Sequence, residues 1–269
     1  MRLLSFKDGQ LDLTKDHYRD IPSYAILSHT WGDDEDELSF KDVTDGTGKN
    51  KVGFRKIQFC GRQAARDGLK HFWVDTCCID KANSTEFAEA INSMYRWYQR
   101  ADRCYVYLSD VSTKGQPPSG WEQDFQESRW FKRGWTLQEL IAPPSVEFFS
   151  SDGQRLGDKK SLEQQLHEVT GIPIQLFRGA ALSEFSVDER TLWAKYRQTK
   201  REEDQAYCLL GIFNVHMLPI YGEGRENAFR RLQKEIHNIS YNDDGMLLSS
   251  GSLLRGSRND RNPEMSIAN

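Results

Sequence analysis

Two hydrophobic rhythms alternate along the first 150 residues. Short unbroken apolar runs at Tyr24-Ala25-Ile26-Leu27-Ser28, His71-Phe72-Trp73-Val74-Asp75, Cys104-Tyr105-Val106-Tyr107-Leu108 and Val146-Glu147-Phe148-Phe149 predict four buried strands. Between them the spacing lengthens to that of a helix. Phe54, Ile57, Gly61, Ala64 and Ala65 mark one helix, with Gly68 as its stop, and Phe87, Ile91, Met94, Tyr98 and Ala101 trace one face of a long second helix behind Asn83 and Glu86. Leu137, Leu140 and Ile141 form a third, short helix, which Gly134 allows the chain to enter abruptly and the Pro143-Pro144 pair ends. Alternation of this kind predicts an α/β fold: a mostly parallel sheet with helices on both faces.

The remaining segments are less regular. Leu11-Asp12-Leu13 reads as a short strand in a peripheral start, and residues 33–50 as an exposed loop with a short strand at Leu38–Phe40. Thr113 to Gly120, with two prolines and two glycines, is a loop able to cover a cleft. Beyond residue 150 the pattern is helical. Ser161 with Gln164 and Ser186 with Glu189 open two helices, residues 203–213 read as one buried helix, and Phe229, Leu232 and Ile236 line a last amphipathic one. From residue 241 onward Ser, Gly, Asn and Arg dominate, the composition of an unordered tail. The expected organisation is therefore an α/β core at 1–150, a helical extension packed on it at 151–240, and a tail at 241–269.

Composition narrows the function more than the fold. The chain has 269 residues and a formal net charge of -4, so it can bury a full core and lacks the basic excess of an electrostatic nucleic-acid binder. No apolar run reaches membrane-span length, and charge at Arg2, Lys7 and Asp8 leaves no signal-peptide core, which together point to a cytoplasmic protein. Five cysteines, odd in number and without metal-type pair spacing, are expected to be reduced and mostly buried. The six histidines are dispersed, so no metal site is expected.

Ligands on parallel sheets sit outside the carboxyl ends of the strands. Those ends carry Ser28-His29-Thr30-Trp31 and Asp75-Thr76-Cys77, and the short helix bearing Glu139 follows the third strand. Glu139 lies four residues after Trp135, so carboxylate and indole share a helix face and suit a flat ligand carrying ribose hydroxyls or developing positive charge. The alternative is a helix whose Glu139 simply pairs with Arg129 or Arg133. Cys77 or Cys78 with His29 offers a nucleophilic pair, although both thiols sit beside a buried strand where inert packing is usual. Asp75 and Asp80 read equally as loop caps, and Glu203-Asp204 as the cap of the buried helix. Gly222-Glu223-Gly224 follows helix rather than strand and is no phosphate-cradling loop.

Four motifs in order, Ser28-His29-Thr30-Trp31-Gly32, Trp73-Val74-Asp75 with Cys78-Ile79-Asp80, Arg133-Gly134-Trp135-Thr136-Leu137-Gln138-Glu139 and Ala206-Tyr207-Cys208-Leu209-Leu210-Gly211, resemble the fungal heterokaryon-incompatibility (HET) domain over residues 1–240. The resemblance implies a cytoplasmic protein of non-self recognition whose activation causes cell death. It also implies a nucleotide-binding, repeat-carrying (NOD-like) receptor, or another member of the same pathway, as partner or as the rest of a longer chain.

The element order is further similar to that of Toll/interleukin-receptor (TIR) domains, which are flavodoxin-like. There Ser28 matches the serine ending the first strand, Ala90-Ile91-Asn92-Ser93 the second-helix motif, and Trp135 to Leu140 the last motif. Many TIR domains cleave the nicotinamide–ribose bond of NAD with the glutamate that falls here on Glu139. Departures are Thr136 for a cysteine, His29 for an aromatic residue, a shortened loop after the second strand, and a longer 110–128 segment. The resemblance implies an NAD glycohydrolase with NAD as substrate and no other cofactor, Glu139 as the catalytic residue, and Ser28, His29, Trp31, Asp75 and Trp135 as the substrate-binding set. Self-association is implied for activity. The competing expectation is a non-enzymatic, self-associating signalling module in which Trp130 and Trp135 are core or interface anchors.

Overall fold

The computed structural model describes residues 1–117 and 120–252. Seven strands, β1 (Leu4–Lys7), β2 (Gln10–Leu13), β3 (Tyr24–His29), β4 (His71–Trp73), β5 (Arg103–Leu108), β6 (Val146–Ser150) and β7 (Arg155–Asp158), form one sheet in the order β2-β1-β4-β3-β5-β6-β7. The four strands predicted from apolar runs are its centre, and they pair in parallel: β3 with β4, β3 with β5, β5 with β6. Their mutual order, second-first-third-fourth, is that of a doubly wound sheet, whose crevice opens between the first and third strands. All six residues of β3 are buried, as expected of a strand covered on both faces.

The sheet is mixed rather than mostly parallel. β1 pairs antiparallel with β2 and with β4, and β7 antiparallel with β6. β2 contains the short strand expected at Leu11–Leu13, whereas β1 and β7, four residues each and carrying charge, are too short for alternation to betray them. The β6–β7 hairpin also crosses residue 150, so the segment after it begins with sheet.

One face is covered by α2 (Phe54–Arg66), whose Phe59 packs on Tyr107 and Phe149. The other is covered by α4 (Ser84–Arg100) and α6 (Thr136–Ile141). From α4, Tyr98 stacks edge-on to Trp73 and donates to the Leu27 carbonyl at 2.9 Å. Local chemistry redraws several loops. Ser39 and Asp42 form a capping box that opens α1 (Phe40–Asp45) where a strand at Leu38–Phe40 was expected. Asp75–Cys78, expected at a strand end, coils into a helical turn, α3.

After α5 (Glu122–Glu127) and the hairpin come α7 (Glu163–Thr170), α8 (Ile174–Phe177) and α9 (Val187–Leu192), the last opened by the expected Ser186–Glu189 box. The helix expected at 203–213 is two, α10 (Asp204–Tyr207) and α11 (Leu210–Phe213). Its residues Ala206, Tyr207, Leu209, Leu210 and Ile212 are buried in the same core cluster as the sheet, so this segment completes the core. The final helix, α12 (Arg225–Ser252), continues through 241–252, where the composition predicted an unordered tail; residues 253–269 lie outside the described residues.

Candidate functional site

β3 ends at His29, and residue alternation turns Ser28 toward the face where α6 lies and leaves His29 at the strand's rim. A chain of three buried side chains follows. The Trp130 indole Nε1 donates to Ser28 Oγ at 2.8 Å, and Ser28 Oγ donates to Glu139 Oε2. Glu139 is 7% exposed. Burial pushes its carboxyl up to about 8, the Ser28 hydrogen bond offsetting part of the effect. Neither arginine considered from the sequence pairs with it: Arg129 bonds to Asp110, and Arg133 lies over the Trp31 ring at 5.6 Å.

Asp75 is the second acid. His29 Nε2 lies 3.2 Å from Asp75 Oδ1, and Trp31 Nε1 donates to Asp75 Oδ2 at 3.0 Å. Burial alone would raise the Asp75 carboxyl. The His29 hydrogen bond and the charges of Lys81 and Arg133 instead hold it well below the usual range. Burial, aided by the charge of Lys56, lowers the His29 imidazole. The pair is therefore an ionised Asp75 accepting from a neutral His29, whose Nδ1 has no hydrogen-bond partner among the described residues.

Glu139, His29, Trp31, Asp75 and Trp135 line one pocket of about 70 Å³. Ser28 does not line it; fully buried, it touches the pocket only through Glu139. The helix α6 starts one residue after Trp135, which explains why indole and carboxylate reach the same cavity. Sequence reasoning missed Lys81, Met94, Asp204 and Tyr221, which close the pocket. Lys81 Nζ sits 3.7 Å from the Trp31 ring centroid, and Tyr221 donates to Asp204 at 2.9 Å while stacking on Phe87. Asp204 thus serves the pocket wall. Glu203 is the N-cap residue of α10 with Asp204 in its first turn, the expected positions. The Glu203 side chain makes no capping hydrogen bond, however: its carboxylate accepts from the Gly222 backbone at 2.7 Å and from Gly224 at 3.3 Å, fixing the loop that carries Tyr221. Among the described residues of the 110–128 segment, none lines this pocket.

The cysteine alternative finds no support in the geometry. Cys77 Sγ donates to the Leu38 carbonyl, and Cys78 Sγ accepts from the Val74 backbone. Burial pushes the Cys77 thiol up to about 12, far from a thiolate at neutral pH. A larger groove, of about 1000 Å³, runs between α4 and the 176–216 segment, but no carboxylate among the described residues lines it.

Residues 24–119 match the family model described as heterokaryon incompatibility protein (HET). The chain contains a HET domain. It is 58% identical over 252 residues to the vegetative incompatibility protein HET-E-1 of Podospora anserina, an alignment covering 92% of this chain and 18% of that protein. No solved structure gives a significant match to this HET domain. Among the described residues no helix is long and apolar enough to cross a membrane.

Proposed function

We propose that this HET domain cleaves the nicotinamide–ribose bond of NAD, as a TIR-like catalytic unit of a cytoplasmic cell-death response to non-self. The observation that carries the reading is Glu139 at the floor of a pocket walled by Trp31 and Trp135 and bordered by Arg133. In NAD the nicotinamide is already a cationic leaving group, so bond breaking needs no acid. The C1′–N1 bond breaks with its electron pair going to nicotinamide, and positive charge develops on the ribose. A fixed carboxylate stabilises that charge more than it stabilises the ground state. Water then adds to C1′ and releases a proton, which the Glu139 carboxylate can accept. A pyridinium beside Glu139 favours its ionised form and so counters the upward push of burial.

At about 70 Å³ the pocket is well below the roughly 300 Å³ at which small-molecule sites begin, so a dinucleotide requires the Trp31–Lys81 wall to move. The same small volume favours the rival reading of a non-enzymatic, self-associating module. Incubating concentrated protein with NAD and measuring free nicotinamide separates the two. Turnover that falls about a hundredfold or more in folded Glu139→Gln supports the enzyme. Equal nicotinamide release by wild type and variant, or none from either at high protein concentration, leaves the rival.

A further inference from the structure

Directly across the Trp31–Arg133 wall lies a second, open groove of about 520 Å³. Its lining includes four cations, Arg129, Lys132, Arg133 and Lys200, against two carboxylates, Asp33 and Asp34. Lys200 bonds to Asp34, and the Arg129 guanidinium is 3.5 Å from Asp110. Lys132 and Arg133 enter no ion pair among the described residues. The backbone holding these cations is tied down: Gln198 N donates to the Lys132 carbonyl at 2.6 Å, and Gly134 N to the Gln198 carbonyl at 2.8 Å. A Cβ at Gly134 would meet the Thr199 methyl at 2.5 Å, so this close strap needs glycine there. Excess positive charge in a concave, anchored groove is a site for a multiply charged anion.

We propose that this basic groove binds the diphosphate of a dinucleotide whose nicotinamide riboside end lies over Glu139. The assignment rests on the reading given under Proposed function, and it resolves that reading's difficulty of size. The inner pocket alone is too small for the ligand, while pocket and groove share Trp31 and Arg133 as a common wall. Displacing the Trp31 indole joins them into one cleft with an acidic, aromatic inner end and a basic outer end. That polarity matches a ligand with a cationic ring at one end and two phosphates further along. Arg133 spans both parts, and Arg129 and Lys132 supply the outer charges.

The test is binding, independent of turnover. Wild type, the double variant Arg129→Ala/Lys132→Ala and the single variant Lys132→Glu are titrated with ADP-ribose and, separately, with nicotinamide; both side chains are exposed, so the fold is expected to survive. The expected result is ADP-ribose affinity weakened about tenfold or more in each variant, with a shallower salt dependence and unchanged nicotinamide affinity. Undiminished ADP-ribose affinity in both variants overturns the proposal, as does failure of wild type to bind ADP-ribose at millimolar concentration. The catalytic reading is decided separately, by the Glu139→Gln comparison: loss of turnover in Glu139→Gln together with undiminished ADP-ribose affinity in the Arg129 and Lys132 variants sinks the groove alone.

Discussion

Glu139 is held by a hydroxyl and not by a cation, and its titration follows from that. Its folded pKa of about 8 exceeds the ordinary carboxyl value of 4.5, so the native chain keeps a proton that the unfolded chain has released. The sign is fixed by linkage: this contribution to stability is complete below about pH 4.5 and is lost as pH rises through about 8. Chemical denaturation of Glu139→Gln between pH 5 and 8 should therefore show a flatter stability profile than wild type, by up to a few kcal/mol at the alkaline end. Under the proposed NAD cleavage, nicotinamide release should climb as pH approaches 8, because that reading uses the ionised carboxylate. Ser28→Ala removes the acceptor of the buried Trp130 N–H and should cost about 1–3 kcal/mol in denaturant melts. Native Cys77 and Cys78 should resist iodoacetamide until the protein unfolds, as mass spectrometry of the labelled chain would show. Glu139, His29, Trp31, Asp75 and Trp135 were legible because they cluster at strand ends and on one helix turn. Ser28, expected to bind substrate, is kept off the pocket wall by a depth the sequence did not show, since that depth is set by Trp130, 102 residues away. Lys81, Asp204 and Tyr221 carried no local signal, because only tertiary packing brings them to the wall.

Among the elements, those fully covered on both sides were readable, while of the outer strands only β2 was, through Leu11 and Leu13. β3, β5 and α4 announce themselves by unbroken or helically spaced apolar residues. β1 and β7 do not, because hydrogen bonding to a neighbour defines them and their side chains alternate weakly. The split of residues 203–213 into α10 and α11 was hidden for another reason: apolar residues on most sides leave no periodicity to interrupt. Gly211, in α11, shows how tightly this piece docks on α4, since a Cβ there would lie 2.0 Å from Cβ of Tyr95. Gly211→Ala is expected to destabilise the protein by about 1–3 kcal/mol or more, measured as a lowered melting temperature, because two helices must separate to admit one methyl group.

For the molecule as a whole, the segment after residue 150 shares the core and closes the pocket. A chain ending at residue 150 should consequently fail to fold, seen as loss of near-ultraviolet circular dichroism, because it strips β7 and the buried α10–α11 side chains from the cluster. The two ends of the sheet carry a further consequence for how copies of this protein can meet. One outer strand is β2 with its exposed Gln10 and Asp12; the other is β7, where Arg155 bonds to both Glu147 and Asp158. Short, charged borders of this kind repel an incoming backbone. Lengthening by stitching one sheet onto the next is therefore disfavoured, and lateral contact of helix surface with helix surface is the expected route for copies of this domain to meet.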